Sequence, residues 1–250
     1  MILEGRTALV TGAGQGVGRG VALALAAEGA HVAVVGRTLS KCESVAAEIA
    51  ERGGTASAFE CDVSERAQVE ACVEAVHGKL GQIAILVNAA QTTVYGSIRR
   101  LTEDDLESQW QSGPMGTFRF MQLCFDDLRA TKGSVVNFGS GSSLTVAPAM
   151  GAYAAAKESI RVLSRAAAVE WGKHGVRVNV ILPLANSPGY DSWAGDLPEA
   201  GDAMLQRVPL GRIGDCEQDI GRAVVYLVGP DAGYITGTTL VVDGGFDYLR

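Results

Sequence analysis

The chain has 250 residues, 47% hydrophobic and 20% charged, with a formal net charge of -7 at pH 7. That is ample apolar material for one packed core, and the acidity argues against nucleic acid or an anionic membrane surface as a partner. Five scattered cysteines without a CxxC spacing and three distant histidines give no disulfide framework and no metal site.

No apolar run reaches the ~18 residues of a membrane span. Gly12 and Gly14 interrupt the first apolar run before it can serve as a signal segment. A cytoplasmic protein is expected.

The apolar periodicity predicts a strand at 7–10, a glycine turn, a helix at 19–28 ended by Gly29, and a buried strand at 31–36. A helix at 40–52, a strand entering a loop at 55–63, a helix at 65–80 and a strand at 83–90 follow. Next come a helix with a break at 102–129, a strand at 133–140, a helix at 152–172 and a strand at 176–183. An irregular stretch is expected at 184–209, then a helix at 217–228 and a last strand at 238–245. Strands alternating with helices of this length predict an α/β fold: one doubly wound parallel sheet of Rossmann type, helices on both faces, in a single domain over 1–250.

In such a fold the first strand-to-helix turn is where a dinucleotide pyrophosphate binds. Here it reads TGAGQGVG, residues 11–18. Backbone N–H groups and the helix dipole favour an anion there, and glycine lets the backbone come close. A plain structural turn would use the same glycines. The second strand ends in Gly36-Arg37-Thr38 rather than in an acidic residue. A guanidinium and a hydroxyl beside the adenosine ribose favour a 2'-phosphate, hence NADP over NAD. Gln15 adds no second positive charge.

Several motifs stand in order along the chain. Thr11, Gly12, Gly16 and Gly18 match T-G-x-x-x-G-x-G; Tyr153 and Lys157 match Y-x-x-x-K, with Ser140 thirteen residues earlier. Asp62-Val63 follows the third strand and Asn88-Ala89 the fourth; VRVNVILP and ITGTTLVVDGG close the pattern. From about residue 3 to 246 the chain resembles the short-chain dehydrogenase/reductase family, and most its members like the 3-oxoacyl-carrier-protein reductases.

The resemblance implies that Thr11, Gly12, Gln15, Gly16, Val17 and Gly18 hold the cofactor. It assigns further cofactor contacts to Arg37, Thr38, Asp62, Val63, Asn88, Ala89, Ala90, Tyr153, Lys157 and Pro183. It also implies a homo-oligomer, tetramer or dimer. Tyr153 and Lys157 share a helix face. A nearby ammonium is expected to bring the phenol below its ordinary pKa of about 10. Tyr153 then exchanges a proton with a carbonyl or alcohol oxygen that Ser140 holds in place.

The chain departs from the family at three points. Gly113, followed by Pro114, stands where the family often has an asparagine holding a water that links the lysine to solvent. A kink is expected there, with a freed backbone carbonyl or an extra water as the replacement. Ala90 and Gln91 alter the cofactor wall, and Pro183-Leu184 replaces Pro-Gly, with Ser187-Pro188 further on.

Between Leu184 and Met204 there is no lysine or arginine, and the stretch 184–209 has the Gly and Pro content of a mobile lid. Val146, Met150, Tyr190 and Trp193 supply apolar surface, so the expected substrate is an apolar ketone or secondary alcohol. A β-ketoacyl thioester stays open. Two other readings stand beside it: a cofactor-binding sensor or structural subunit with little catalysis, and a dehydratase or epimerase on the same fold.

Overall fold

The computed structural model describes residues 1–196 and 198–247. The strands are β1 (Thr7–Thr11), β2 (His31–Gly36), β3 (Thr55–Glu60), β4 (Ile83–Asn88), β5 (Ser134–Phe138), β6 (Arg177–Pro183) and β7 (Thr239–Val242). They form one parallel sheet in the order β3-β2-β1-β4-β5-β6-β7. β1, β4 and β5 are buried along their whole length, as their unbroken apolar runs require of strands covered on both faces.

The helices α1 (Gly16–Ala27), α2 (Leu39–Glu51) and α3 (Arg66–Leu80) cross over between the first four strands. One face of the sheet packs a core in which Val21, Leu25, Val45, Ile49, Val224 and Leu227 meet β1, β2 and β4; the other packs Val69, Val76, Phe120 and Leu128. The strand order reverses between β1 and β4, which opens a crevice at their carboxyl ends.

The long expected helix with a break is resolved into four pieces. α4 (Glu103–Trp110) starts at a capping box, in which Thr102 Oγ1 accepts from Asp105 N–H and Asp105 Oδ2 accepts from Thr102 N–H. A π-helical turn at Gln111–Met115 carries Pro114, and α5 (Gly116–Leu123) and α6 (Phe125–Thr131) follow. Proline has no N–H to give, so the ladder widens there instead of ending. α7 (Gly151–Trp171) carries Tyr153 and Lys157.

The stretch 184–209 is not irregular. It contains α8 (Pro188–Asp196) and α9 (Pro198–Arg207). Proline opens each helix at its first position, where a missing N–H costs nothing. Ser187 caps α8, its Oγ accepting from Tyr190 N–H at 3.3 Å. α9 carries Glu199 in its first turn and Arg207 in its last, in agreement with the helix dipole. α10 (Arg222–Val228) then leads to β7.

Candidate active site

A cavity of about 710 Å³ lies over the carboxyl ends of β1, β2 and β4. Gly12, Gln15, Gly16, Val17 and Gly18 line it at the glycine turn, Arg37 and Thr38 at the end of β2, Asp62 and Val63 after β3, and Ala89 and Ala90 after β4. The glycines are structural necessities. Gly12 and Gly16 have φ of 67° and 55°, and a Cβ on Gly18 would stand 2.3 Å from the Gly12 carbonyl oxygen. Thr11 is buried, and its Oγ1 accepts from the N–H groups of Ala89 and Ala90 at 3.1 and 3.2 Å. The turn is thereby tied to the β4 loop.

Asp62 Oδ1 accepts from Ser64 N–H and Oγ–H, which fixes the loop after β3. Asn88 donates from Nδ2 to Asn137 Oδ1 at 2.8 Å, whereas its buried Oδ1 has no partner among the described residues. Arg37 is exposed and forms no ion pair among the described residues. The spacing argument missed Lys41, one turn into α2, which also lines the cavity and donates to Gln15 Oε1 at 2.7 Å. A second cation is thus present beside Arg37, although Gln15 itself brings none.

The glycine cradle, the unpaired Asn88 oxygen and the two cations fit a dinucleotide phosphate-and-ribose chain. The start of α8 approaches this cradle: a Cβ on Gly16 would come 3.4 Å from Pro188 Cδ and 3.6 Å from Ser187 Cβ.

Ser140 follows β5 and caps the short 3₁₀ turn Gly141–Ser143, its Oγ accepting from Ser142 N–H at 3.2 Å. That leaves the Oγ–H to donate. Lys157 is 5% exposed, and its Nζ donates to the Phe138 carbonyl at 2.8 Å and stands 5.8 Å from the centre of the Tyr153 ring. β5 and α7 therefore bring Ser140, Tyr153 and Lys157 together.

Their ionisation differs from the expectation. Burial pushes the Tyr153 phenol up to about 12, against the opposing hydrogen bond from Ser140. Burial also brings Lys157 down to about 7. Desolvation penalises the charged form of both groups.

On the substrate side the Tyr190 and Trp193 rings pack together with centroids 5.9 Å apart. Val146 is exposed, and Met150 sits at the start of α7. Pro183 ends β6, paired with Val242. Sequence reasoning missed Tyr95 and Ile98. The Tyr95 ring lies 6.3 Å from that of Tyr153. The Ile98 side chain packs over Gly151, and a bond from Gly96 N–H to the Ala149 carbonyl joins the two loops. Their signal was one of composition, large apolar residues (Val94, Tyr95, Ile98 and Leu101) in a loop that is not part of the core.

The comparisons with known proteins agree with this geometry. A family model described as enoyl-(acyl carrier protein) reductase matches residues 12–247. The 12alpha-hydroxysteroid dehydrogenase of Clostridium sp. is 39% identical over 98% of this chain and 97% of its own length. The D-threitol dehydrogenase of Mycolicibacterium smegmatis is 35% identical over 98% of this chain and 94% of its own. A short-chain dehydrogenase/reductase from Serratia marcescens superposes with a TM-score of 0.91 at 29% identity, covering 99% of this chain and all of that one. The chain belongs to the short-chain dehydrogenase/reductase family. It is an NAD(P)-dependent oxidoreductase acting on CH–OH and C=O groups.

Proposed function

We propose that the protein interconverts an apolar ketone and the corresponding secondary alcohol with NADP(H), Tyr153 serving as general acid/base. The observation that carries this reading is the convergence of Ser140, Tyr153 and Lys157: a phenol beside a hydroxyl donor, over a buried amine whose Nζ is fixed on the Phe138 carbonyl. When bound, the nicotinamide supplies or takes up the hydride. Tyr153 Oη gives a proton to the carbonyl oxygen in reduction, or receives one from the alcohol in oxidation. Ser140 Oγ–H orients that oxygen, and Lys157 holds the phenol's surroundings electropositive when protonated.

Thr11, Asn88, Pro183 and the cavity residues are assigned to the cofactor, with Arg37, Thr38 and Lys41 on the adenosine 2'-phosphate. Tyr95, Ile98, Val146, Met150, Tyr190 and Trp193 are assigned to the substrate. Their apolar character, with a hydroxysteroid dehydrogenase among the relatives, supports a bulky apolar alcohol. Exposed Phe118, Val162 and Val169 support a homo-oligomer, dimer or tetramer. The unpaired cysteines are in keeping with a cytoplasmic setting.

The test is cofactor turnover with a 12α-hydroxysteroid, D-threitol and their ketones, using NADP(H) and NAD(H). Tyr153→Phe is expected to lower kcat by about 10³-fold. Arg37→Ala and Lys41→Ala are each expected to weaken NADPH about tenfold and leave NADH unchanged. Tight NADPH binding without turnover on any of these compounds would overturn the catalytic reading in favour of a sensor.

A further inference from the structure

The loop after β3 is tied down on both sides of its backbone. Its N–H groups are met from within: Asp62 Oδ1 accepts from Ser64 N–H at 2.9 Å, Gln68 Oε1 accepts from Asp62 N–H at 2.9 Å, and the Asp62 carbonyl accepts from Glu65 N–H at 3.1 Å. Two of its carbonyls are met by one distant side chain. Arg119 Nη1 donates to the Val63 carbonyl at 3.1 Å and to the Ser64 carbonyl at 2.9 Å. The same guanidinium reaches the π-helical turn. Its Nη2 donates to Gln111 Oε1 at 2.5 Å, and Nη1 lies 3.5 Å from the Gln111 carbonyl. Gln111 Nε2 in turn donates to Glu107 Oε1 at 2.6 Å. Each partner of Arg119 here is neutral, so what the side chain supplies is a fork of donors rather than half of an ion pair.

The fork has little freedom. Arg119 stands on α5 three residues after Gly116, on the same helix face. A Cβ on Gly116 would come 3.0 Å from Val63 Cγ2 and 3.3 Å from the Val63 carbonyl oxygen. The backbone of α5 is therefore laid directly on the loop. The segments joined by Arg119 are two stretches of the cavity wall: Val63 and Ser64 on one, Glu107, Gln111 and Ser112 on the other. Arg119 itself is not among the lining residues and acts from behind them.

We infer that Arg119 is a positioning residue for the dinucleotide: it fixes the spacing between these two stretches of wall, and with it the width of the cavity at the loop after β3. The inference rests on the assignment of this cavity to the cofactor. Without the guanidinium, the Val63 and Ser64 carbonyls and Gln111 Oε1 lose their donors, and the loop turns to water for them. Arg37 and Lys41 are assigned to the 2'-phosphate and separate NADPH from NADH. Arg119 acts on a wall that both nucleotides meet, so its loss weakens both alike.

The experiment is a fluorescence titration of NADPH and of NADH on the full chain without substrate, with Arg119→Met, Arg119→Lys, Arg37→Ala and Thr102→Ala compared. Arg119→Met is expected to raise Kd about tenfold for both nucleotides and to quicken hydrogen exchange at 62–65. KM for both cofactors rises with it, while kcat at saturating cofactor holds. Arg119→Lys is expected to fall between, since an ammonium has no planar fork to span two segments. Arg37→Ala shifts NADPH alone. Thr102→Ala removes the α4 cap and lowers the melting temperature with both Kd values unchanged.

Wild-type Kd values in Arg119→Met, or a rise for NADPH alone, overturn the inference and leave the cofactor assignment standing. A Thr102→Ala variant that weakens both nucleotides as much also overturns it, because any loosening of this wall would then suffice. If Arg119→Met does not fold, Arg119→Lys decides by the same criteria. A wild-type chain that binds neither nucleotide overturns the cofactor assignment and this inference with it.

Discussion

In the glycine turn there is no room for one more carbon at Gly18, and Thr11 binds the turn to the next loop through two N–H groups. In the lid the reverse holds: α8 buries no residue, and α9 buries only Gly201. The cofactor side is shaped by backbone held against backbone. The helices α8 and α9 are anchored by little apolar contact, the condition for low local stability.

The largest effect that tests this contrast is expected from Gly18→Ala. Its methyl group meets a backbone oxygen that cannot retreat, so stability is expected to fall by about 3 kcal/mol and dinucleotide binding to be lost. Denaturant melts and NADPH titration check it. Full binding by this variant would show that the turn yields as the lid does.

Lys157 gives the next effect. Its folded value, about 7, lies below its ordinary 10.5, so between these the unfolded chain binds more protons than the folded one. Stability therefore rises with pH across that window, by at most about 1.4 kcal/mol per pH unit. Lys157→Met is expected to remove that slope. Parallel slopes for wild type and variant would mean that the amine is solvated.

The smallest effect is expected from Ser187→Ala. It removes the α8 cap at about 1 kcal/mol of local stability. Hydrogen exchange should quicken in α8 while α1 stays protected. Equal quickening in both would erase the distinction between the two regions.

What was legible in the sequence follows the same division. The turn, the alternation of strands and helices and the Tyr153–Lys157 pair depend on short spacings, which a linear string records. The Gly and Pro content of 184–209 reads as an irregular stretch, whereas Ser187 before Pro188 marks the helix start that the structure shows. Gln91 was seen as part of the cofactor wall but not as the side chain that stands where a Cβ on Gly113 would point, since the two meet only in the folded chain. The direction of the Tyr153 shift was missed for a related reason: spacing tells that an amine is near, but not how dry the place is.

Ser187 and Pro188 lie within contact distance of the space beside Gly16. The first turn of the lid therefore rests on the rim of the phosphate cradle. Ser187, Pro188 and Gly189 line the same cavity as Gly16, so one wall of it is a helix start that can shift and the other a turn that cannot.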